Sequence, residues 1–427
     1  MLLGVFTSLY DIIRISGSDK PTVDTRVFQL HYKWTRLLLF VFCIIVSLNS
    51  LIGKPIACTG TAEARLQEVM QTYCWITGTF TYEKYFRDNQ IGASQLTKVG
   101  VGPGHPEHDE KKHITYYQWV PIVLFLQGVL FYVPHWIWKM FEDHRIRHLI
   151  EGMVEARMEE KKRRQRQALV VRYLVDSKGT NEWYAYQYVF CEILNFANVI
   201  LNLVLTDKLL GGDFFTLGTR LIKYDPEDPT SVDPSHYTFP KQTKCTFQYF
   251  GASGTVSTID SICILPINIF NEKLYAMLWF WFVLLGLVTG LNLLWRLAMI
   301  ASPVLRVWVL QTKDHTHDVG NMSVVTNVVN GISFSDFFFV WIFTKNLNGL
   351  VLFDFLREYS AGVAEDLAPK RRPRLYPTLP HAMQLQSLDS PGGHSSSAQD
   401  FELRKPLTPC DDTDPVYSSV LPAKRRQ

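Results

Sequence analysis

The sequence lacks a strong net charge. Its 43 lysines and arginines nearly balance its 40 aspartates and glutamates, which leaves +3 over 427 residues. Domains that bind nucleic acid usually carry a marked excess of basic residues, so we expect no nucleic-acid partner. Charge is also unevenly distributed, because four long segments contain few charged residues or none.

Recognisable catalytic and cofactor motifs are missing as well. The chain contains no HExxH, GxSxG, Walker A or GxGxxG pattern. These patterns mark zinc peptidases, serine hydrolases, P-loop nucleotidases and dinucleotide-binding enzymes. We therefore expect a protein that is not an enzyme and that holds no metal and no cofactor.

The four apolar segments predict membrane spans. A bilayer core is crossed by about 20 apolar residues in helical conformation, and residues 34–52, 116–138, 183–206 and 274–297 satisfy that requirement. Tryptophan and tyrosine are frequent at the edges of these segments, as is typical of membrane interfaces. The expected fold is an all-α polytopic membrane protein with four transmembrane helices.

One carboxylate and two prolines inside these segments bear on structure or function. Glu192 is the only carboxylate well inside a span, where it would cost about 3 kcal/mol. No ionisable partner is evident in the other spans, which favours structural hydrogen bonding or a position near a pore over a proton relay. Pro121 and Pro134 both fall in the second span, where each can kink the helix, as a gating hinge or as a fixed bend.

Lysine and arginine counts predict the orientation of the spans. Residues 139–182 contain 11 of them in 44 residues, whereas residues 53–115 contain 7 in 63 and residues 207–273 contain 6 in 67. Since basic loops stay in the cytoplasm, 139–182 is the predicted cytoplasmic loop. Both termini are then cytoplasmic, and the two less basic loops are extracellular.

The cysteines support the same orientation. Cys58 and Cys74 lie in the first outer loop, and Cys245 and Cys263 lie in the second. Cysteines concentrated in segments that share one side of a membrane indicate disulfides and an oxidising exterior. Four cysteines allow three pairings, and the sequence does not choose among them.

The outer loops also lack a glycosylation signal. The only Asn-x-Ser/Thr sequence is Asn321-Met322-Ser323, which lies on the predicted cytoplasmic side. A face without bulky glycans suits contact with another protein.

The two ends of the chain differ in pattern. Within residues 1–33, the apolar residues follow helical spacing, and they include Leu2, Val5, Phe6 and Leu9. This spacing alone favours a helix on the membrane surface over a helix folded into a pore. Residues 298–367 continue with helical patterns and predict packed cytoplasmic helices. Residues 368–427 are rich in proline, serine and basic clusters and predict a disordered tail.

A motif at the start of the second span resembles a known family. The residues Tyr116-Tyr117-Gln118-Trp119-Val120-Pro121 are similar to the YYQWV signature of the innexins, the invertebrate gap-junction proteins. Further similar segments are 30–33, 73–75, 124–127, 131–136 and 207–214, so the resemblance covers about residues 1–365. Two cysteines in each outer loop also fit innexins, whereas connexins have three.

The resemblance implies more than composition shows. Subunits would form a ring, as an octamer, around a wide aqueous pore, and two rings in adjacent plasma membranes would dock through their outer loops, alone or with other innexins. The N-terminal helix would fold into the pore mouth as a funnel, whereas the spacing of its apolar residues alone favours a position on the membrane surface. The cysteines would pair between the two outer loops, and the cytoplasmic loop and 298–367 would build a helical dome.

The implied function is a gap-junction channel that passes ions and small metabolites, with membrane lipid as a further partner. One alternative is an undocked hemichannel that releases small molecules such as ATP. A four-span adhesion protein of the claudin or tetraspanin kind is another, although the tetraspanin Cys-Cys-Gly motif is missing and the cytoplasmic loop is long for either.

Overall fold

Four long apolar helices dominate the structure. The computed structural model describes residues 23–59, 64–87, 100–102, 104, 109–143, 145–150, 160–180, 182–225, 227, 233–312, 319–347 and 349–367. Within these residues, four helices are long and apolar enough to cross a membrane, and we name them spans 1 to 4: Arg26–Ile52, Val120–Glu142, Glu182–Leu209 and Ile267–Ala301. The prediction of a mostly helical, four-span membrane protein is confirmed.

Span 1 is not a uniform α-helix. It begins at Arg26, eight residues before the predicted start at residue 34, and includes a π-helical segment, Leu30–Thr35, before the α-helix Arg36–Ile52. Two buried polar side chains of the π-helical segment bind span 4. His31 Nε2 lies 2.9 Å from Thr289 Oγ1, and Thr35 Oγ1 accepts a hydrogen bond of 2.9 Å from Trp281 Nε1.

Span 2 consists of two helices, Val120–Leu130 and Val133–Glu142, separated at Phe131–Tyr132. The expectation that Pro121 kinks the span was wrong. Pro121 lies in the first turn of its helix, where a backbone N–H has no partner within the helix and proline is well tolerated. Pro134 lies in the first turn of the second half, directly after the interruption.

A five-stranded antiparallel sheet lies at the end of the spans that carries the two predicted extracellular loops, which we call the outer end, and the sequence did not predict this sheet. The first loop supplies three strands and the second loop supplies two: β1 Ala57–Thr59, β2 Thr79–Tyr82, β3 Lys111–Ile114, β4 Gln242–Phe250 and β5 Val256–Ile264. The strands occur in the order β1, β5, β4, β2, β3 across the sheet. The second-loop hairpin is therefore held between strands of the first loop.

Short helices complete the outer loops. They are Ala64–Thr77, Lys84–Arg87, the 3₁₀ turn Tyr116–Gln118, Phe214–Lys223 and Ser235–Thr238. We call these helices and the sheet the outer cap. Its buried side chains form one apolar cluster with the outer halves of the spans, which includes all four loop cysteines.

Helices at the opposite end of the spans form a second body, which we call the dome. These helices are Arg145–Ile150, Glu160–Asp176, Pro303–Gln311, Val319–Gly331, Phe334–Thr344 and Gly349–Leu367. Every residue of Phe334–Thr344 is buried, and this helix of 11 residues is too short to be a fifth span. Ser333 caps it by accepting a hydrogen bond from the Asp336 N–H. A second apolar cluster joins the dome to the inner ends of the spans.

Candidate functional site: the outer cap and the polar contacts between spans

Two disulfides join the first outer loop to the second. Cys58 on β1 pairs with Cys263 directly opposite on β5, and Cys74 on helix Ala64–Thr77 pairs with Cys245 on β4. Both bonds therefore connect the hairpin of spans 1 and 2 to the hairpin of spans 3 and 4, as the family resemblance implied. The sulfur atoms of Cys58, Cys74 and Cys263 lie within 4.8 Å of one another, so the two bridges are adjacent.

The hairpin of β4 and β5 projects beyond the rest of the sheet. Its strands pair along nine residues each, from Gln242 opposite Ile264 to Phe250 opposite Val256. Neighbouring strands support only the base, because β1 reaches Ile262 on β5 and β2 meets β4 at Lys244.

The tip of this hairpin is apolar and exposed. Phe250 is 77% exposed and Val256 is 60% exposed. The turn between them requires glycine at Gly254, which has φ of +80° and donates its N–H to the Gly251 carbonyl at 2.9 Å. The paired strands thus present two exposed apolar side chains at the tip of the hairpin.

The family motif connects span 2 to the outer cap. Its polar groups donate hydrogen bonds to the backbone of both outer loops: Tyr116 Oη to Thr238 O at 3.1 Å, Tyr117 Oη to Cys74 O at 3.4 Å, and Gln118 Nε2 to Ile76 O at 3.2 Å and to Trp75 O. Trp119 is exposed where the span begins, and Val120 is buried. The motif therefore fixes the top of span 2 beneath the disulfides.

Glu192 has a charged partner that the sequence analysis missed. Arg296 of span 4 makes a two-pronged contact with it, Nε to Oε2 at 2.9 Å and Nη2 to Oε1 at 3.0 Å. Asn292 Nδ2 also donates to Glu192 Oε1 at 3.0 Å. The expectation that no ionisable partner exists in the spans was wrong, because Arg296 of span 4 is buried and paired with Glu192.

The buried ion pair also reaches the dome. The Arg296 guanidinium lies over aromatic rings of span 3 and of helix Phe334–Thr344, namely Tyr188 at 5.7 Å, Phe338 at 5.1 Å and Trp341 at 4.9 Å. Because both carboxylate oxygens of Glu192 already accept hydrogen bonds, this arrangement suits a structural contact between span 3, span 4 and the dome.

Polar side chains continue along the inward face of span 3. Gln127 Nε2 of span 2 donates to Thr206 Oγ1 at 2.8 Å, and Asn202 Nδ2 donates to Asn198 Oδ1 at 3.0 Å. These residues are buried between helices. Polar groups in a membrane normally face other helices in this way, since lipid offers them no partner.

A second set of contacts holds the segment just before span 1. The Tyr188 hydroxyl accepts a hydrogen bond from Thr25 N and donates one to Thr25 Oγ1, both at 3.0 Å. Asp24 accepts a hydrogen bond of 2.7 Å from the Tyr32 hydroxyl and lies 3.6 Å from His135 Nδ1. Burial raises the pKa of Asp24 above its usual value. The chain is therefore fixed to spans 2 and 3 where it enters span 1.

Other predicted residues lie outside the described part of the chain. Leu2, Val5, Phe6 and Leu9 belong to residues 1–22, and the tail 368–427 also falls beyond the described residues.

Comparison with known proteins identifies the family. The family model described as Innexin matches residues 24–362. The chain is 39% identical to "Innexin inx3" of Drosophila melanogaster over 344 residues, which cover 80% of this chain and 85% of the relative. It is 36% identical to "Innexin inx2" of Schistocerca americana over 370 residues, 86% of this chain and 99% of the relative. The chain belongs to the innexin family.

Other innexins show the same extent of similarity. "Innexin shaking-B" of Drosophila melanogaster is 35% identical over 360 residues, which cover 84% of this chain and 94% of the relative. Innexins are the gap-junction channel proteins of invertebrates, so this innexin chain is a self-associating channel subunit of the membrane and not an enzyme.

Proposed function

We propose that eight copies of this chain form a ring around a wide aqueous pore, and that the ring docks onto a ring in the adjacent cell. The assembled channel passes ions and small metabolites by passive diffusion. It lies in the plasma membrane at cell contacts, with both termini in the cytoplasm, and other innexins can join it.

The projecting hairpin carries the docking part of this proposal. Docking requires a surface that holds its shape before the partner arrives, because ordering a mobile loop on contact lowers affinity. The disulfides hold the base of the hairpin, and Phe250 and Val256 supply exposed apolar area at its tip. No Asn-x-Ser/Thr sequence occurs in either outer loop.

Charge supports the orientation. Residues 139–182 hold 11 lysines and arginines and connect spans 2 and 3 on the dome side, and basic loops remain in the cytoplasm. The disulfides then face the oxidising exterior.

The N-terminal segment is the proposed gate. It folds into the pore mouth as a funnel and is held there by its apolar side chains Leu2, Val5, Phe6 and Leu9. The contacts of Thr25 with Tyr188 support this role, because they fix the point from which the segment leaves the spans.

Paired cells that express only this chain provide the test. We expect current between the two cells, together with dye transfer. Membrane current in single cells without current between paired cells would contradict docking between identical rings and would favour the undocked hemichannel. Absence of both currents despite surface expression would contradict a channel formed by this chain alone.

A further inference from the structure

A short helix after span 4 turns back against that span. Pro303–Gln311 begins directly after Ser302, where span 4 ends. Arg306 reaches the last turn of span 4, where its Nε donates to Met299 O at 2.8 Å and its Nη2 donates to Ile300 O at 2.7 Å. These carbonyls have no partner within their own helix so close to its end. The only charge of the short helix is thus directed at the span.

Trp308 shows how far the helix returns. Its ring contacts the ring of Trp295 edge to face, with 6.2 Å between ring centroids. Trp295 lies six residues before Ala301, the end of span 4, which corresponds to about 9 Å along the helix axis. Trp308 therefore lies beside the last turns of the span. The neighbouring Arg296 turns inward to Glu192, so its charge does not reach this surface.

The short helix has a buried face and an exposed apolar face. Val309 and Leu310 belong to the apolar cluster of the dome. Val304 and Trp308, four residues apart and so on one face, are 74% and 54% exposed. An exposed tryptophan beside the end of a span is typical of the membrane interface, where an apolar ring can be half hydrated.

The outward face of span 4 indicates what covers Val304 and Trp308. That face consists of large apolar side chains, including Met277, Phe280, Leu284, Leu287, Leu291 and Leu294, all of them exposed. The span's small residues lie elsewhere: Gly286 faces Val199 and Gly290 faces Phe196, both on span 3. Contacts between helices in membranes favour small residues, so the large-residue face suits lipid.

The length of this face agrees with a bilayer. From Met277 to Leu297, which is also exposed, the face extends about 30 Å, the thickness of the hydrocarbon core. Trp308 lies beside the dome end of this face, and Val304 is exposed on the same side of its helix.

We propose that helix Pro303–Gln311 is an interfacial anchor that inserts Val304 and Trp308 into the lipid leaflet at the dome end of the spans. Its buried face meanwhile holds the dome, so the anchor fixes the base of the dome at the bilayer surface. The proposal requires only that span 4 crosses the membrane; it is independent of docking and of conduction.

Nitroxide labels on the full-length chain in lipid nanodiscs test this anchor. The three cysteines outside the disulfides, Cys43, Cys191 and Cys410, are first replaced by alanine. One label replaces Trp308. References are a label at Leu287, on the outward face of span 4, and one at Leu169, exposed on the charged dome helix Glu160–Asp176.

The readout is collision with oxygen, which concentrates in lipid, against collision with a water-soluble nickel chelate. At position 308 we expect the oxygen-to-nickel ratio to resemble that at 287 and to exceed that at 169 severalfold. Preferential collision with nickel would place the helix in water, and low collision with both would mean that a neighbouring subunit covers it. Either result overturns the proposal. If the Trp308→Cys variant does not assemble, the Val304→Cys variant gives the same readout from the same face.

Discussion

The outer cap and the dome are held together by different interactions. Both gather segments from distant parts of the chain, but the cap does so with a five-stranded sheet and two disulfides, whereas the dome does so with helices around a large apolar cluster. Small extracellular units often rely on disulfides because their cores are limited. Covalent bonds therefore preserve the connections of the cap, whereas the dome depends on apolar packing between its helices.

Removing the covalent connections should have the largest effect. Each disulfide joins residues far apart in sequence, by 205 and 171 positions. A loop-closure estimate gives roughly 5 kcal/mol for loops of this length. We expect Cys58→Ser or Cys263→Ser to abolish current between paired cells.

Surface labelling should accompany the measurement, and Cys43→Ser is the matched control, since Cys43 lies outside the disulfides. Normal coupling through both disulfide variants would show that the cap does not need this connection.

Breaking the ion pair between spans 3 and 4 should rank next. Arg296→Met leaves Glu192 buried without its main partner, and such a change typically costs about 3–5 kcal/mol. We expect a marked fall in the melting temperature of the solubilised protein. Size-exclusion chromatography of samples heated to increasing temperatures measures this fall.

The double variant Glu192→Leu/Arg296→Met should recover much of that loss, because it leaves no buried charge. If Arg296→Met alone melts like the unchanged protein, Glu192 must be paired or hydrated in another way.

A smaller effect should follow from the hydroxyl that holds the start of span 1. Tyr188→Phe removes two hydrogen bonds to Thr25, and each such loss costs roughly 1 kcal/mol. We expect a modest loss of thermal stability and altered gating of single-cell currents.

Tyr184→Phe is a matched control, because the Tyr184 hydroxyl is buried without a hydrogen-bond partner among the described residues. Equal behaviour of the two variants would remove the basis for a fixed N-terminal segment.

The smallest effect concerns pH. In the cap, His236 Nε2 lies 3.2 Å from Lys241 Nζ. Burial is the larger cause that lowers the pKa of His236, and the positive charge of Lys241 is the second. As pH falls below about 6.5, the unfolded chain takes up a proton that the folded cap still rejects, so stability decreases toward the lower folded pKa. In the His236→Asn variant, the melting temperature should depend less on pH over this range. An unchanged dependence on pH would assign the loss of stability to other groups.

The four spans could be predicted because long apolar runs are strong local signals. The sheet was not predicted, because it forms by pairing between short strands that lie far apart in the chain, such as β1 with β5 and β2 with β4. Arg296 was missed because a charge near the end of an apolar run normally reaches water; its burial depends on Glu192, 104 positions away. The cysteine pairing likewise depends on the register of β1 with β5, which no local pattern encodes.

The most direct test of a fixed docking surface is current between paired cells that express the double variant Phe250→Asp/Val256→Asp. Charges at the hairpin tip should repel their counterparts on the opposing ring without disturbing the buried core, since both side chains are exposed. The account predicts loss of current between cells, with surface expression and single-cell membrane current retained. Undiminished current between cells would contradict docking through the hairpin tip.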